Sequence, residues 1–283
     1  MSKKFYLDTS AIYALSNKLD TLAKMDNVFT SILGIQEILS RVSEKPHFNR
    51  RKILINKIVE SKIKFYPYLP LECIAMAFKL DISECEFIKE EKVEFHKKIK
   101  LLLKSNSYES YIEKLKDIGI DEKEFLSDLK KQKKSISKKF NERFKENRRQ
   151  FKESEGKVRK IDINHILLDD SSLKKREDSY IKEFIITLLN NIKVNYTNEY
   201  INELCDNYSG ELTAFFLGQS MYEFSRSYNG EFAEKNYYLD IQHLLYLRGE
   251  NEVIVTNDKI FQKSTIFKQR ISVEEFIKEV GIQ

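Results

Sequence analysis

Two short β-prone runs, one near each end of the chain, stop at an aspartate. Residues 4–10 read Lys-Phe-Tyr-Leu-Asp-Thr-Ser, and residues 252–259 read Glu-Val-Ile-Val-Thr-Asn-Asp-Lys. In an open parallel sheet the functional crevice lies just beyond the carboxyl ends of the strands. Asp8 and Asp258 are therefore expected to meet, although most of the chain lies between them. Two carboxylates in one crevice repel, and they stay ionised only where a cation neutralises them. Hard oxygen ligands select Mg²⁺ or Mn²⁺. The pairing suggests a metal-dependent phosphoryl-transfer site.

Two more acids fit this plan. Residues 27–32, Asn-Val-Phe-Thr-Ser-Ile, read as a second strand, and the segment that follows has helical spacing with Glu37 in its first turns. Near the other end, Tyr238 to Arg248 reads as a helix whose Leu239, Leu244, Leu245 and Leu247 face the sheet, with Asp240 in the first turn. Helix N-termini carry partial positive charge and favour an acid. Four carboxylates, on two strand ends and two helix starts, are thus expected to converge.

These four residues resemble the pattern of PIN-domain ribonucleases. They are Asp8 in Leu-Asp-Thr-Ser-Ala, Glu37 in Gln-Glu-Ile-Leu, Asp240 before an apolar helix, and Asp258 in Val-Thr-Asn-Asp. Thr9 and Ser10 match the small hydroxyl residue that follows the family's first acid. Asp240 and Asp258 stand eighteen residues apart, room for a helix, a turn and a strand. The resemblance covers residues 1–68 and 236–283. It implies an α/β core, a PIN-like parallel sheet flanked by helices, and metal-assisted hydrolysis of RNA that leaves a 5′-phosphate and a 3′-hydroxyl. Asp8, Glu37, Asp240 and Asp258 would be both metal ligands and catalytic residues. Flap-type DNA nucleases with similar carboxylate sites are the nearest alternative. A non-catalytic PIN-like scaffold, or a regulated toxin or defence effector restrained by a partner protein or homo-oligomer, stays open.

Residues 69–235 depart from the compact family pattern and read as a large all-helical insertion or lobe. Pro67 and Pro70 are the last prolines of the chain, and helices are expected over 84–103, 108–118 and 121–155, with Asp121 as cap and Gly156 as stop. A loop through Asp169 to Ser172, then helices from Ser179, near Asn198 and over 211–225 complete it. A strand at 252–256, a short strand near Ile266 and a helix over 273–280 return to the sheet.

The basic helix of this insertion, placed within 121–160, is the second informative feature. From Lys130 to Lys160 basic residues outnumber acidic ones by ten, more than the whole-chain excess of +5. Leu129, Ile136, Phe140, Phe144, Phe151 and Val158 recur at steps of four or seven. They form one packing stripe and leave Lys133, Lys134, Lys138, Arg148 and Arg149 exposed. A cationic stripe of this size suits a nucleic-acid backbone, with RNA favoured by the resemblance. A solvated amphipathic helix is the bland alternative.

Composition excludes other classes. With 41% hydrophobic residues the chain is not a disordered polyelectrolyte. Cys73, Cys85 and Cys205 have no zinc spacing and are expected as reduced thiols. No glycine-rich phosphate loop and no Ser-His-Asp or Cys-His set stands out. No signal peptide or apolar span is visible, which points to a cytoplasmic protein without a membrane partner.

Each site residue also has a structural role to be weighed. Asp8, Asp240 and Asp258 are suited to helix capping, and Glu37 to an exposed helix face. His243 stands three after Asp240, placed to touch substrate or orient a carboxylate, against a half-buried structural histidine. Thr9 and Ser10 are expected to bond Asp8 or the first helix. Asn257 is a candidate for holding a ligand water, against a turn role. Glu211 is a weaker fifth acid, suited to a first helical turn.

Overall fold

The computed structural model describes residues 2–40, 42, 45–155, 170–229, 237–258, 261 and 268–282. Its frame is a five-stranded, all-parallel sheet: β1 (Lys4–Leu7), β2 (Val28–Ser31), β3 (Lys64–Tyr66), β4 (Glu252–Val255) and β5 (Arg270–Ile271), in the order β3-β2-β1-β4-β5. The central strands are apolar on both faces because parallel sheets carry helices on both sides. Phe5, Tyr6 and Leu7 are all buried, as are Ile254 and Val255. Strand β1 pairs with β4 in the register Phe5↔Val253 to Leu7↔Val255, and with β2 through Phe5↔Val28. The chain leaves β1 toward β2 and β3 on one side, and reaches β4 and β5 on the other. The order reverses between β1 and β4, the point at which such sheets open a crevice.

Alternation along β1 assigns its two faces. Phe5 meets Phe276 of the last helix edge-on at 5.0 Å, whereas Tyr6 stacks on Tyr246 at 5.3 Å and tilts against Phe29 at 5.5 Å. The helices before β3 are α1 (Thr9–Ala14), α2 (Leu19–Leu22), α3 (Ile32–Ser40) and α4 (Phe48–Ser61). Helix α1 packs on α3, and α4 on α2 and α3.

The middle of the chain is helical: α5 (Pro70–Ala77), α6 (Glu86–Leu103), α7 (Tyr108–Asp117), α8 (Glu122–Glu155), α9 (Asp170–Asn191), α10 (Asn198–Asn207) and α11 (Thr213–Asn229). Pro70 starts α5 at a position where its missing N–H costs nothing. The expected loop at 169–172 gives way to helix from Asp170 onward. Asp-Ser-Ser is an N-terminal helix signal as much as a loop signal, and the helical reading wins. Gly156 and Val158, and the strand expected near Ile266, lie outside the described residues, and β5 forms at Arg270–Ile271.

Helix α12 (Tyr237–Gln242) runs straight into a 3₁₀ turn (His243–Tyr246), so the expected helix over 238–248 tightens after Gln242. Helix α13 (Val273–Val280) closes the chain with a Ser272–Glu275 capping box. The buried apolar side chains of the sheet and of the middle helices belong to one cluster. No described helix is long and apolar enough to cross a membrane.

Two contacts set the middle helices on this frame. Glu223 of α11, 3% exposed, is met by Arg143 Nε of α8 at 3.6 Å and by the Tyr180 hydroxyl of α9 at 3.3 Å. A buried charge is tolerated only when so partnered. Helix α11 then presses on the 3₁₀ turn through Gly218, where an added Cβ would lie 2.2 Å from Leu244 Cδ1. Leu244 is fully buried, so its side chain would have to repack against its neighbours. Gly218→Val is therefore expected to lower stability by about 1–3 kcal/mol through overpacking, read as a lower denaturant midpoint at unchanged slope.

Candidate active site

Asp8 follows the last residue of β1 and is also the N-cap of α1. Its Oδ1 accepts from Ala11 N at 2.7 Å and from Ser10 Oγ at 2.8 Å. The capping role and the site role thus coincide on one side chain. Burial pushes the Asp8 carboxyl above its usual range, although the His243 imidazole and hydrogen bonds from Thr256, Ala11 and Ser10 oppose that shift.

The two ends of the chain are laced together at this point. Asp8 N donates to Val255 O at 3.3 Å. Ser10 Oγ accepts from Asn257 N at 2.9 Å and lies 3.4 Å from Thr256 Oγ1, which in turn accepts from Asp258 N at 2.9 Å. Asp258 therefore sits beside Asp8 on the same edge of the sheet, half-buried just past β4. Asn257 contributes its backbone to this lacing, and its side chain is exposed. Ser10 performs the local role expected of it, and it also bridges to the far end of the chain.

Glu37 reaches the same edge from α3. The helix lies close to α1 because Gly34 has no side chain; a Cβ there would meet Thr30 Oγ1 at 3.3 Å and Ile12 Cδ1 at 3.4 Å. Thr9 Oγ1 donates to Glu37 Oε2, and His243 Nε2 lies 3.1 Å from the same oxygen. Thr9 thus bonds Glu37, not Asp8 or the first helix as expected, because the chain turns at Asp8 and sends the next side chain toward α3. Glu37 is largely buried, not on an exposed helix face.

Asp240 enters from the first turn of α12. Burial raises its carboxyl to about 8, and the charges of Asp258, Glu37 and Asp8 push the same way, with His243 opposing. Asp240 is thus within electrostatic reach of the other three acids. The group is loosely gathered: among the described residues no three His, Cys, Asp or Glu side chains stand close enough to enclose an ion as they are. The His243 ring is 3% exposed. Burial pulls its pKa down, but Glu37, Asp8 and Asp240 outweigh that and the net shift is upward. Glu211 is elsewhere occupied, its Oε2 accepting from Ser209 N at 3.0 Å.

Sequence reasoning missed Tyr6 and Thr256. Tyr6 has no exposed surface, and its hydroxyl lies 2.5 Å from His243 Nδ1 and 2.8 Å from Ser31 Oγ. A signal existed, since a tyrosine in a strand buried on both faces must find a polar partner. Thr256 carried no signal beyond its place at a strand end.

The basic residues lie along α8. Lys134, Lys138 and Arg149 are exposed, Lys133 lies on the same helix, and Phe144 is buried as expected. Arg148 is half-buried, which corrects its expected exposure. It follows Phe144 by four residues and so stands on the same side of the helix as the packed stripe. Arg149 pairs with Glu146 at 2.7 Å and Lys138 approaches Glu142 at 3.9 Å, exposed pairs of small energetic weight. Lys157, Arg159 and Lys160 lie outside the described residues.

No protein-family model, curated protein or solved structure matches the chain.

The Asp240 shift has a testable sign. Its native carboxyl holds a proton to about 8, whereas the unfolded chain loses it near the ordinary value of 3.8. The unfolded state then binds fewer protons across that window, and stability falls as pH rises through it. Asp240→Asn is expected to stabilise the metal-free protein at pH 7–8, with the gain vanishing as pH falls to about 4. Urea unfolding of both proteins across this range checks it; an equal midpoint at pH 7.5 would contradict the assignment.

Proposed function

We propose that this chain is a metal-dependent nuclease with a PIN-like core, hydrolysing phosphodiester bonds of RNA. The observation that carries the reading is that Asp8, Glu37 and Asp258 stand at the switch-point edge of a parallel sheet, with Asp240 within electrostatic reach of all three. The all-parallel sheet flanked by helices is compatible with that core. The donor set supports a hard divalent cation, since it consists of carboxylate oxygens. The raised Asp240 supports it too, because a crevice that drives one of its acids toward neutrality favours added positive charge.

Asp8, Glu37, Asp240 and Asp258 would hold Mg²⁺ or Mn²⁺. Such an ion lowers the pKa of a coordinated water and neutralises charge on the scissile phosphate. The rest is the work of the chain. Ser10 and the α1 N-terminus fix Asp8, Thr9 and His243 fix Glu37, and the Ser10–Thr256 lacing keeps Asp258 beside them. The exposed cations of α8 supply a surface for the phosphate backbone. RNA as substrate rests on the family resemblance.

Asp8→Asn preserves the cap, because asparagine caps helices as well as aspartate does. It is expected to remain folded and to lose Mg²⁺- or Mn²⁺-dependent cleavage of single-stranded RNA by at least about a hundredfold, as loss of a metal ligand does. Wild-type rates in the variant, insensitive to EDTA, would rule the mechanism out.

For α8, reversing Lys134, Lys138 and Arg149 to Glu is expected to weaken RNA binding about equally for all sequences, since phosphate contacts carry no sequence information. The slope of log affinity against log salt should shrink by about 0.7–0.9 for each phosphate that is no longer neutralised. Fluorescence anisotropy at several salt concentrations measures both. An unchanged slope in the folded triple variant would leave α8 a solvated face.

A further inference from the structure

Glu37 stands at the end of a buried hydrogen-bonded column. His243 Nε2 is 3.1 Å from Glu37 Oε2, His243 Nδ1 is 2.5 Å from the Tyr6 hydroxyl, and that hydroxyl is 2.8 Å from Ser31 Oγ. Ser31 Oγ accepts in turn from Gly34 N at 3.4 Å. The column therefore begins and ends on α3: Gly34 at one end, Glu37 one turn later at the other. Two arrangements of protons satisfy every link. With a neutral His243 ring, Ser31 donates to Tyr6 and Tyr6 to Nδ1; with an imidazolium, Nδ1–H donates to Tyr6 and Tyr6 to Ser31; in both, Nε2–H donates to the Glu37 carboxylate. The middle members cannot drift, because Tyr6 is wedged between Phe29 and Tyr246 and has no exposed surface. His243 is carried by the 3₁₀ turn against which Gly218 of α11 packs, through Leu244.

A purely structural network would have no reason to terminate on a crevice acid. Here the bonds from Thr9 and from His243 land on the same Glu37 oxygen, Oε2. Two donors on one oxygen hold the carboxylate plane and its direction relative to Asp8 and Asp240. Side chains that orient a ligating carboxylate in this way commonly decide metal affinity.

We propose that Tyr6 and His243 are positioning residues, which hold the Glu37 carboxylate in a fixed orientation as one ligand around which the other acids close on a divalent cation. The inference rests on the metal-site reading above and deepens it. Sequence alone singles out neither their partnership nor Tyr6.

The test is a Mn²⁺ titration of the full chain, followed by the EPR signal of free and bound ion, on wild type, Tyr6→Phe, His243→Leu, His243→Gln and Glu37→Gln, each checked for folding by circular dichroism. Tyr6→Phe removes one buried oxygen and keeps the ring, so it decides the matter even where His243→Leu fails to fold. Tyr6→Phe and His243→Leu are expected to weaken Mn²⁺ binding about 10–100-fold and to alter the line shape of the bound ion. His243→Gln retains an N–H donor for Glu37 and is expected to recover most of the affinity. Wild-type affinity and line shape in folded Tyr6→Phe, alongside a weakened Glu37→Gln, would overturn the positioning role and leave the metal site standing. Absence of Mn²⁺ binding by the wild type would overturn the metal-site reading and the positioning role with it.

Discussion

The pairing of β1 with β4 is the contact on which the site depends. Four rungs, from Lys4↔Glu252 to Leu7↔Val255, join segments from opposite ends of the chain. Closing so long a loop costs entropy, but that cost grows only slowly with length. Burial of Phe5, Tyr6, Leu7, Ile254 and Val255 offsets it, at about 1.5–3 kcal/mol for each large apolar side chain fully buried. Asp8 and Asp258 are neighbours only because these rungs exist. A register slip would turn Tyr6 from the His243 face to the Phe276 face and empty the column behind Glu37.

Buried acids elsewhere in the fold show a different logic. Glu72, 3% exposed, accepts from Leu69 N and meets Lys92 Nζ at 2.6 Å. Glu223 is answered by Arg143 and Tyr180. In both, a cation compensates the charge and the acid serves the fold. Asp240 instead feels the charges of Asp258, Glu37 and Asp8, with His243 opposing them. Charge pairing that is respected at Glu72 and Glu223 is broken at Asp240, the pattern expected where function is at stake.

The middle helices are joined to this crevice by physical contact. Arg143 of α8 reaches Glu223 of α11, and α11 packs through Gly218 against the turn that bears His243. The surface carrying the exposed lysines and the residue steadying Glu37 therefore share one helix as common support. That arrangement ties the middle helices mechanically to the sheet edge that bears Glu37.

Much of this was legible in the chain itself. The strand ends at Asp8 and near Asp258, the helix bearing Glu37, the helix start at Asp240 and the long basic helix follow from local apolar runs, caps and charge patterning, which act over a few residues. The Thr9–Glu37 bond, the Ser10–Thr256 lacing, the half-burial of Arg148 and the Ser31–Tyr6–His243 column were decided only by tertiary structure. Each depends on which element lies across from a residue and how closely it approaches, as Gly34 and Gly218 permit. Periodicity fixes which face a side chain takes along its own element; only packing fixes what stands opposite.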